Sequence, residues 1–182
     1  MKKAIKLICI SLLLLVVFLV GCSKKVNLEN IQNTYKEVKQ SMSPEELEKK
    51  IGKPSSIKEG EKAISYLYYD GALIVDFRND RVSAKEIAYN SNKKKNIRVG
   101  SELETEIEDL NKLIGKISEG MSFKEVVEIL GDKYIQTIVD WHYEYRTYTW
   151  YDKNENRVDI EFNSNGNVEY INEIISFSGD VL

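Results

Sequence analysis

The feature that most limits how this chain can fold is a twelve-residue segment that occurs twice. The two copies are 41–52 and 120–131. In each copy a serine precedes a glutamate by three residues, Ser43 with Glu46 and Ser122 with Glu125, which forms a capping box at the start of a helix. A glycine closes each copy, as is common just after the end of a helix. The pair predicts two short helices of the same construction and an internal duplication.

The residues that precede each copy predict a longer helix, because their apolar side chains recur with the spacing of an amphipathic helix. These stripes are Leu28, Ile31, Tyr35 and Val38 in the first copy, and Ile107, Leu110, Ile114 and Ile117 in the second. Ser101 and Glu104 form a further capping box, so the second of these helices is expected to begin there. Each copy therefore predicts two helices before its strands.

After Gly52 and Gly131 the apolar residues alternate and tyrosine, valine and isoleucine dominate, which predicts four strands in each copy. The predicted strands are 55–59, 63–69, 72–78 and 81–89, then 134–139, 141–151, 157–163 and 167–177. The pairs Asp70–Gly71 and Asn165–Gly166 are typical of hairpin turns. We expect a first repeat at 28–89, a second at 101–182, and a solvated basic linker at 90–100.

The beginning of the chain has the composition of a secretory signal, with three early lysines followed by an apolar run that ends in a small residue at position 21. The run is shorter than the ~20 residues that a spanning helix needs. Leu19-Val20-Gly21-Cys22 resembles the lipobox of bacterial lipoproteins. That resemblance implies cleavage of residues 1–21, a lipid on Cys22, a tether at 22–27 and a location on the extracytoplasmic face of the cell membrane. An ordinary cleaved signal is the alternative.

Charge and composition exclude several classes of function. The net charge is −3 and becomes −6 without the three lysines of the signal, so we expect no nucleic-acid partner. Cys22 is the single cysteine after the signal and His142 is the single histidine, so neither a zinc site nor a catalytic triad is predicted. The segment 152–156 begins like a calcium loop, but Arg157 stands where glycine is required, and we interpret it as a hairpin loop. We predict no cofactor, no metal and no enzymatic activity.

The run Gly120-Met121-Ser122 through Ile129-Leu130-Gly131, with the tyrosine-rich and Val-x-Phe strands that follow, resembles the repeat of β-lactamase inhibitor proteins. It is also similar to the single unit of BamE-like lipoproteins of outer-membrane assembly. The resemblance implies an α+β fold of two tandem helix-helix-four-strand repeats. It further implies one curved antiparallel sheet with the helices on its convex side and a concave face that grips a protein, with Asp70 on a hairpin that enters the partner's active site.

Aromatic residues are the candidates for a binding surface, because tyrosine and tryptophan are favoured at protein interfaces. Together with Asp70 they are Tyr66, Tyr68, Trp141, Tyr143, Tyr145, Tyr148 and Trp150. Alternate strand residues point to opposite faces, so one set is outward and the other is core, and the sequence leaves open which. We interpret the chain as a membrane-anchored protein-binding or scaffolding module of the cell envelope. The alternatives are an envelope protein that binds small ligands or wall glycans, and a β-lactamase inhibitor.

Overall fold

The structure, a computed structural model, describes residues 28–88 and 103–172. It is an α+β fold with one open antiparallel sheet, in which eight strands lie side by side in chain order. The strands are β1 (Ser56–Glu59), β2 (Ile64–Tyr68), β3 (Leu73–Arg78), β4 (Arg81–Ile87), β5 (Tyr134–Asp140), β6 (Tyr145–Tyr151), β7 (Arg157–Phe162) and β8 (Val168–Ile171). The helices are α1 (Leu28–Glu37), α2 (Pro44–Ile51), α3 (Asn111–Ile114) and α4 (Phe123–Leu130).

Several predictions fall on residues outside these ranges. The signal, Cys22 with its tether, and the linker at 90–100 all lie there, as does the last part of the predicted final strand. Among the residues that the structure describes, no helix is long and apolar enough to cross a membrane.

The two short helices begin as predicted. At α2 the Ser43 hydroxyl accepts the Glu46 amide at 3.2 Å, while the Glu46 carboxylate accepts the Ser43 amide at 2.7 Å. At α4 the equivalent distances between Ser122 and Glu125 are 3.3 and 2.8 Å. Both capping boxes are therefore formed in full, which satisfies two helix-terminal amides at each start.

The glycines that follow these helices also match each other. Gly52 has a φ of 92° and Gly131 a φ of 82°, which side chains rarely adopt. Their ψ angles are extended, so the chain leaves each helix directly toward a strand instead of adding a left-handed turn. The Gly52 amide donates to Glu48 at 2.9 Å and the Gly131 amide donates to Val127 at 2.8 Å.

The segment before each short helix is held to the sheet by the same kind of bond. The Val82 amide donates to the Met42 carbonyl at 2.9 Å, and the Val168 amide donates to the Met121 carbonyl at 2.7 Å. Val82 lies near the start of β4 and Val168 begins β8. The last strand of each four thus anchors the start of its short helix.

Two hydrophobic cores form between helices and strands. The first contains Leu28, Ile31, Tyr35 and Val38 from the α1 region and Leu47 from α2, packed with Leu73, Val75, Phe77 and Val82. The second contains Val126 and Leu130 from α4, packed with Trp150, Val158, Ile160, Phe162 and Val168. In β3 and β7 the buried residues alternate with less buried ones, as period-2 strands require.

The prediction of a second long helix is wrong. Between the predicted start and α4, the described residues contain one short helix, Asn111–Ile114, and Glu104 has a positive φ of 52°. The residues before α3 are instead bonded to the sheet, where the Thr105 hydroxyl donates to the Tyr151 carbonyl at the end of β6 at 2.7 Å. The Asp152 carboxylate accepts the Leu110 amide at 3.3 Å. The apolar positions are still buried, because Ile107, Leu110 and Ile117 join the second core without a continuous helix.

Candidate functional site

The structure decides which set of aromatic side chains faces the cores. Trp150 is fully buried, and its indole N–H donates to the Gly131 carbonyl at 3.0 Å. Tyr148 is half-buried in the same core, with its ring 4.5 Å from that of Phe123 on α4. The prediction that Trp150 contributes to a binding surface is wrong, because its side chain fills the space under α4.

The first-copy counterparts lie against the first core in the same way. Tyr68 is 4% exposed, and its buried hydroxyl has no hydrogen-bond partner among the described residues. Burial raises the pKa of Tyr68 well above its usual value. Tyr66 is half-buried, with its ring 4.7 Å from that of Phe77. The prediction that Tyr68 lies on a binding surface is therefore also wrong. Tyr66 mainly packs against Phe77.

Asp70 lies at the other end of the sheet from the remaining aromatic candidates. It is exposed in a short 3₁₀ turn, Tyr69–Gly71, between β2 and β3, with a φ of 58°. That turn precedes Leu73, which pairs with Ile87 at the end of β4. The β5–β6 turn instead adjoins Ala84, near the start of β4. The structure therefore does not bring Asp70 together with the aromatic residues of β5 and β6.

The remaining aromatic candidates surround the turn between β5 and β6, which we call the aromatic turn (residues 140–145). The predicted strand 141–151 in fact begins at Tyr145, because the Asp140 carboxylate caps a tight turn and accepts the amides of His142 and Tyr143, both at 2.8 Å. Tyr143 is 64% exposed, whereas Trp141 and Tyr145 are half-buried. The Arg78 guanidinium lies 5.5 Å from the centre of the Tyr143 ring.

The strand face opposite the core side chains of β3, β4, β6 and β7 carries most of the acidic and hydroxyl residues of the sheet. Strand pairing places Thr147 beside Glu161 and Thr149 beside Asp159, whereas Glu86 pairs with Ile74 and Ile138. We call this the polar face, and its members are Asp76, Glu86, Tyr145, Thr147, Thr149, Arg157, Asp159 and Glu161. Its centre is a groove of about 240 Å³, lined by Glu86, Thr137, Thr147, Asp159 and Glu161 among others.

Hydrogen bonds fix one wall of this groove. The Thr149 hydroxyl donates to the Asp159 carboxylate at 2.7 Å and lies 3.0 Å from the Thr137 hydroxyl. The Arg157 guanidinium forms an ion pair with Asp159 at 3.4 Å. This ion pair compensates the charge of Asp159, but the buried Nε of Arg157 has no hydrogen-bond partner among the described residues.

The two glutamates of the groove differ from Asp159. Burial raises the pKa of Glu86, and the neighbouring charges of Asp76 and Asp159 raise it further while Arg157 opposes them. Burial also raises the pKa of Glu161, with a contribution from Glu169. Neither glutamate forms an ion pair within the part of the chain that the structure describes. The groove therefore holds negative charge that is partly desolvated and not fully compensated.

Tyr145 joins the aromatic turn to the polar face. It pairs with Asp140 across β5 and β6, on the same face as Thr147. Burial raises the pKa of Tyr145, and the charges that raise it further belong to Asp140, Glu161, Glu86 and Asp76. A second groove, of about 280 Å³, lies at the base of the aromatic turn and is lined by Gln40, Trp141, Tyr145 and Ser164 among others.

Within residues 28–88 and 103–172, no group of three or more histidine, cysteine, aspartate or glutamate side chains is placed to hold a metal ion. His142 is exposed, and its ring lies 4.6 Å from that of Tyr143. What the site offers is carboxylates, hydroxyls and aromatic rings.

The sequence-based prediction selected Trp141, Tyr143 and Tyr145 but placed them in a strand instead of a turn, and it missed the polar face. The acidic and hydroxyl residues of the polar face alternate with core residues along each strand. This pattern is also typical of an ordinary solvated sheet surface. The signal that could have found it is the row of threonines in β6, Thr147 and Thr149, because buried hydroxyls need partners.

Comparison with known proteins gives no family assignment. No family model matches the chain, and no curated protein matches it significantly.

Proposed function

We propose that this chain is a lipoprotein, anchored through Cys22 to the extracytoplasmic face of the cell membrane, that binds or scaffolds a protein partner of the envelope through the polar face and the aromatic turn. The single observation that carries the binding role is the groove of the polar face, where Glu86 and Glu161 are partly desolvated without an ion pair among the described residues. Partly buried carboxylates without a counter-charge are stabilised when a binding partner supplies one.

The size of the grooves favours a protein partner. Their volumes of about 240 and 280 Å³ are below the roughly 300–1,000 Å³ of small-molecule pockets. Grooves of this size suit single side chains of a larger partner. Beside them Tyr143 is 64% exposed, and tyrosine is enriched among the residues that dominate the energy of protein interfaces.

The proposal includes a finer architecture. We propose that residues 28–89 and 101–182 are two tandem units similar to the repeat of β-lactamase inhibitor proteins, with the helices on the convex side of the sheet and the polar face on the concave side. The support is that both units make the same capping box and the same bond from the fourth strand, at Met42 and at Met121. In the second unit, α3 takes the place of the longer helix.

A glycan or wall fragment is the second candidate ligand. Its support is the groove at the base of the aromatic turn, where Trp141 and Tyr145 provide ring faces and Gln40 and Ser164 provide hydrogen-bonding groups. Thermal-shift screening with wall fragments separates the candidates, because a rise in melting temperature that Trp141→Ala abolishes would favour the glycan.

The experiment that tests the binding role is site-specific photo-crosslinking in living cells. A photoreactive residue at Tyr143 should yield a specific adduct with an envelope protein. The matched control is the same residue at Ile57, which is 50% exposed at the edge strand β1. A lipid-anchored unrelated protein serves as the second control. Identical adducts at both positions, or the same set as the unrelated protein, would contradict the proposal.

The anchor has its own test. Cys22→Ser should lose the attached lipid, because the sulfur that carries it is removed. The measurement is metabolic labelling with a radioactive fatty acid, followed by immunoprecipitation of the wild type and of the variant. Equal labelling of the two proteins, or no labelling of the wild type, would contradict lipid anchoring.

A further inference from the structure

We propose that the partner inserts a lysine or arginine side chain into the groove of the polar face, between Glu86 and Glu161 and beside Tyr145. This inference rests on the proposed protein-binding function and names the chemistry by which the partner is recognised.

The first observation is the shape and chemistry of the groove. Glu86 and Glu161 both line it, and strand pairing connects them through Ile138 and Thr147. Each carboxylate is partly withdrawn from water, which strengthens its attraction for a cation relative to a fully solvated one. Asp159, the third carboxylate of the groove, is already paired with Arg157. The two glutamates lie three strands apart, roughly 14 Å between their backbones at about 4.8 Å per strand, and a cation that enters the groove lies between them.

The second and independent observation is Thr147. Its side chain is only 4% exposed and lines the groove, yet its hydroxyl makes no hydrogen bond within the described residues. The neighbouring hydroxyls of Thr137 and Thr149 are bonded to each other, and Thr149 also donates to Asp159. The hydroxyl oxygen is not among the fully buried polar atoms that lack a partner, so it opens into the groove, where a ligand can reach it. An ammonium or guanidinium group, which has several N–H donors, supplies a partner for it.

The third observation is the ring of Tyr145. The charged groups that raise its pKa are all carboxylates, and no described cation lies over its ring. Two other aromatic side chains near this turn already have a cation within 6 Å: Arg78 lies 5.5 Å from the Tyr143 ring and Lys85 lies 5.6 Å from the Trp141 ring. An aromatic ring among carboxylates attracts a cation both by its quadrupole and by their charge.

The test uses the purified full-length chain in mild detergent and titrates it with a hexalysine peptide by calorimetry. We expect saturable binding that weakens about tenfold in the double variant Glu86→Gln/Glu161→Gln, because two partly buried charge pairs are lost. The matched control, Glu59→Gln/Glu61→Gln, removes the same charge from exposed positions at the β1 end of the sheet and should change the affinity less than twofold. Neither double variant should melt below the wild type, and Glu86→Gln/Glu161→Gln should melt slightly above it, because burial disfavours the charged form of both glutamates.

A third variant tests the hydroxyl. Thr147→Val keeps the shape of the side chain and removes the hydrogen-bonding group, so it should weaken hexalysine binding several-fold. Hexalysine with acetylated side chains keeps the backbone and loses the charge, and it should not bind.

Three results would overturn the inference: no binding of hexalysine, equal weakening in both double variants, or equal binding of the acetylated peptide. These outcomes are separate from failure of the proposed function. If crosslinking at Tyr143 captures a partner whose binding is unchanged by Glu86→Gln/Glu161→Gln, the binding role stands and the cation site is wrong.

Discussion

Substitution of Lys85 tests the packing around the first core most directly, because this residue is a buried cation on the central strand β4. Lys85 is 7% exposed, and its ammonium donates to the carbonyls of Tyr35 at 2.8 Å and Val38 at 3.0 Å. These carbonyls belong to the end of α1, where a cation also faces the negative end of the helix dipole. The ammonium lies 4.0 Å from the centre of the Tyr35 ring. Lys85→Met removes the charge and keeps an unbranched side chain.

The charge of Lys85 predicts how stability changes with pH. Burial, and then the charge of Lys39, lowers the pKa of Lys85 from its ordinary 10.5 to about 8. Between these two values the unfolded chain binds the proton more tightly than the folded chain, so the free energy of unfolding rises with pH. From about pH 7.5 to about pH 9.5 this gain is roughly 2 kcal/mol. Tyr35, whose pKa burial raises, opposes the gain only as its unfolded-state pKa near ~10 is approached.

The assay is urea unfolding of the wild type and of Lys85→Met at both pH values. The difference in unfolding free energy between the two proteins should shift by about 2 kcal/mol in favour of the wild type at the higher pH. Lys58→Met, at an exposed position of β1, is the control and should follow the wild type at both pH values. Parallel pH profiles for the wild type and Lys85→Met would refute the reasoning.

Three further predictions concern stability and are checked by urea unfolding. Ser43→Ala and Ser122→Ala should each cost about 1 kcal/mol, since each removes one side of the same capping box; a cost in only one of them would contradict the equivalence of the two helices. Trp150→Ala should cost about 3–5 kcal/mol, whereas Tyr143→Ser should stay within about 0.5 kcal/mol, and similar costs would show that the burial assigned to them is wrong. Asp152→Ala should cost about 2–4 kcal/mol, because this fully buried carboxylate accepts three backbone amides; a neutral effect would contradict that role.

The parts of the fold that were predicted correctly depend on local sequence. The starts of α2 and α4 follow from a serine and a glutamate three residues apart, and their ends follow from Gly52 and Gly131. The hairpin at Asn165–Gly166 forms as predicted, with Gly166 at a φ of 79°. Such signals need no information from the rest of the chain, so the sequence alone suffices.

The second long helix was mispredicted because distant residues override its helical pattern. Thr105 and Leu110 are bonded to Tyr151 and Asp152, which are more than forty residues away in the chain. The apolar residues of this segment are buried in the second core as their spacing predicts, although they do not lie on one continuous helix. Periodicity predicts which side chains are buried more reliably than it predicts the backbone that carries them.

The candidate site was predicted only in part, because alternation separates two sets of residues without saying which is outward. Trp150 and Tyr68 belong to the core set, while Tyr143 and Tyr145 remain at the aromatic turn. The turn itself depends on the Asp140 carboxylate, which ends β5. The groove could not be predicted, since it requires the pairing of β4 with β5 and of β6 with β7.

The most direct measurement is photo-crosslinking from Tyr143 in living cells, made in parallel in the wild type and in Glu86→Gln/Glu161→Gln. A membrane-anchored module that grips a protein through the polar face should give one dominant adduct, and that adduct should fall several-fold in the double variant at equal expression. An adduct set equal to that of an unrelated lipid-anchored protein, in both backgrounds, would contradict the account.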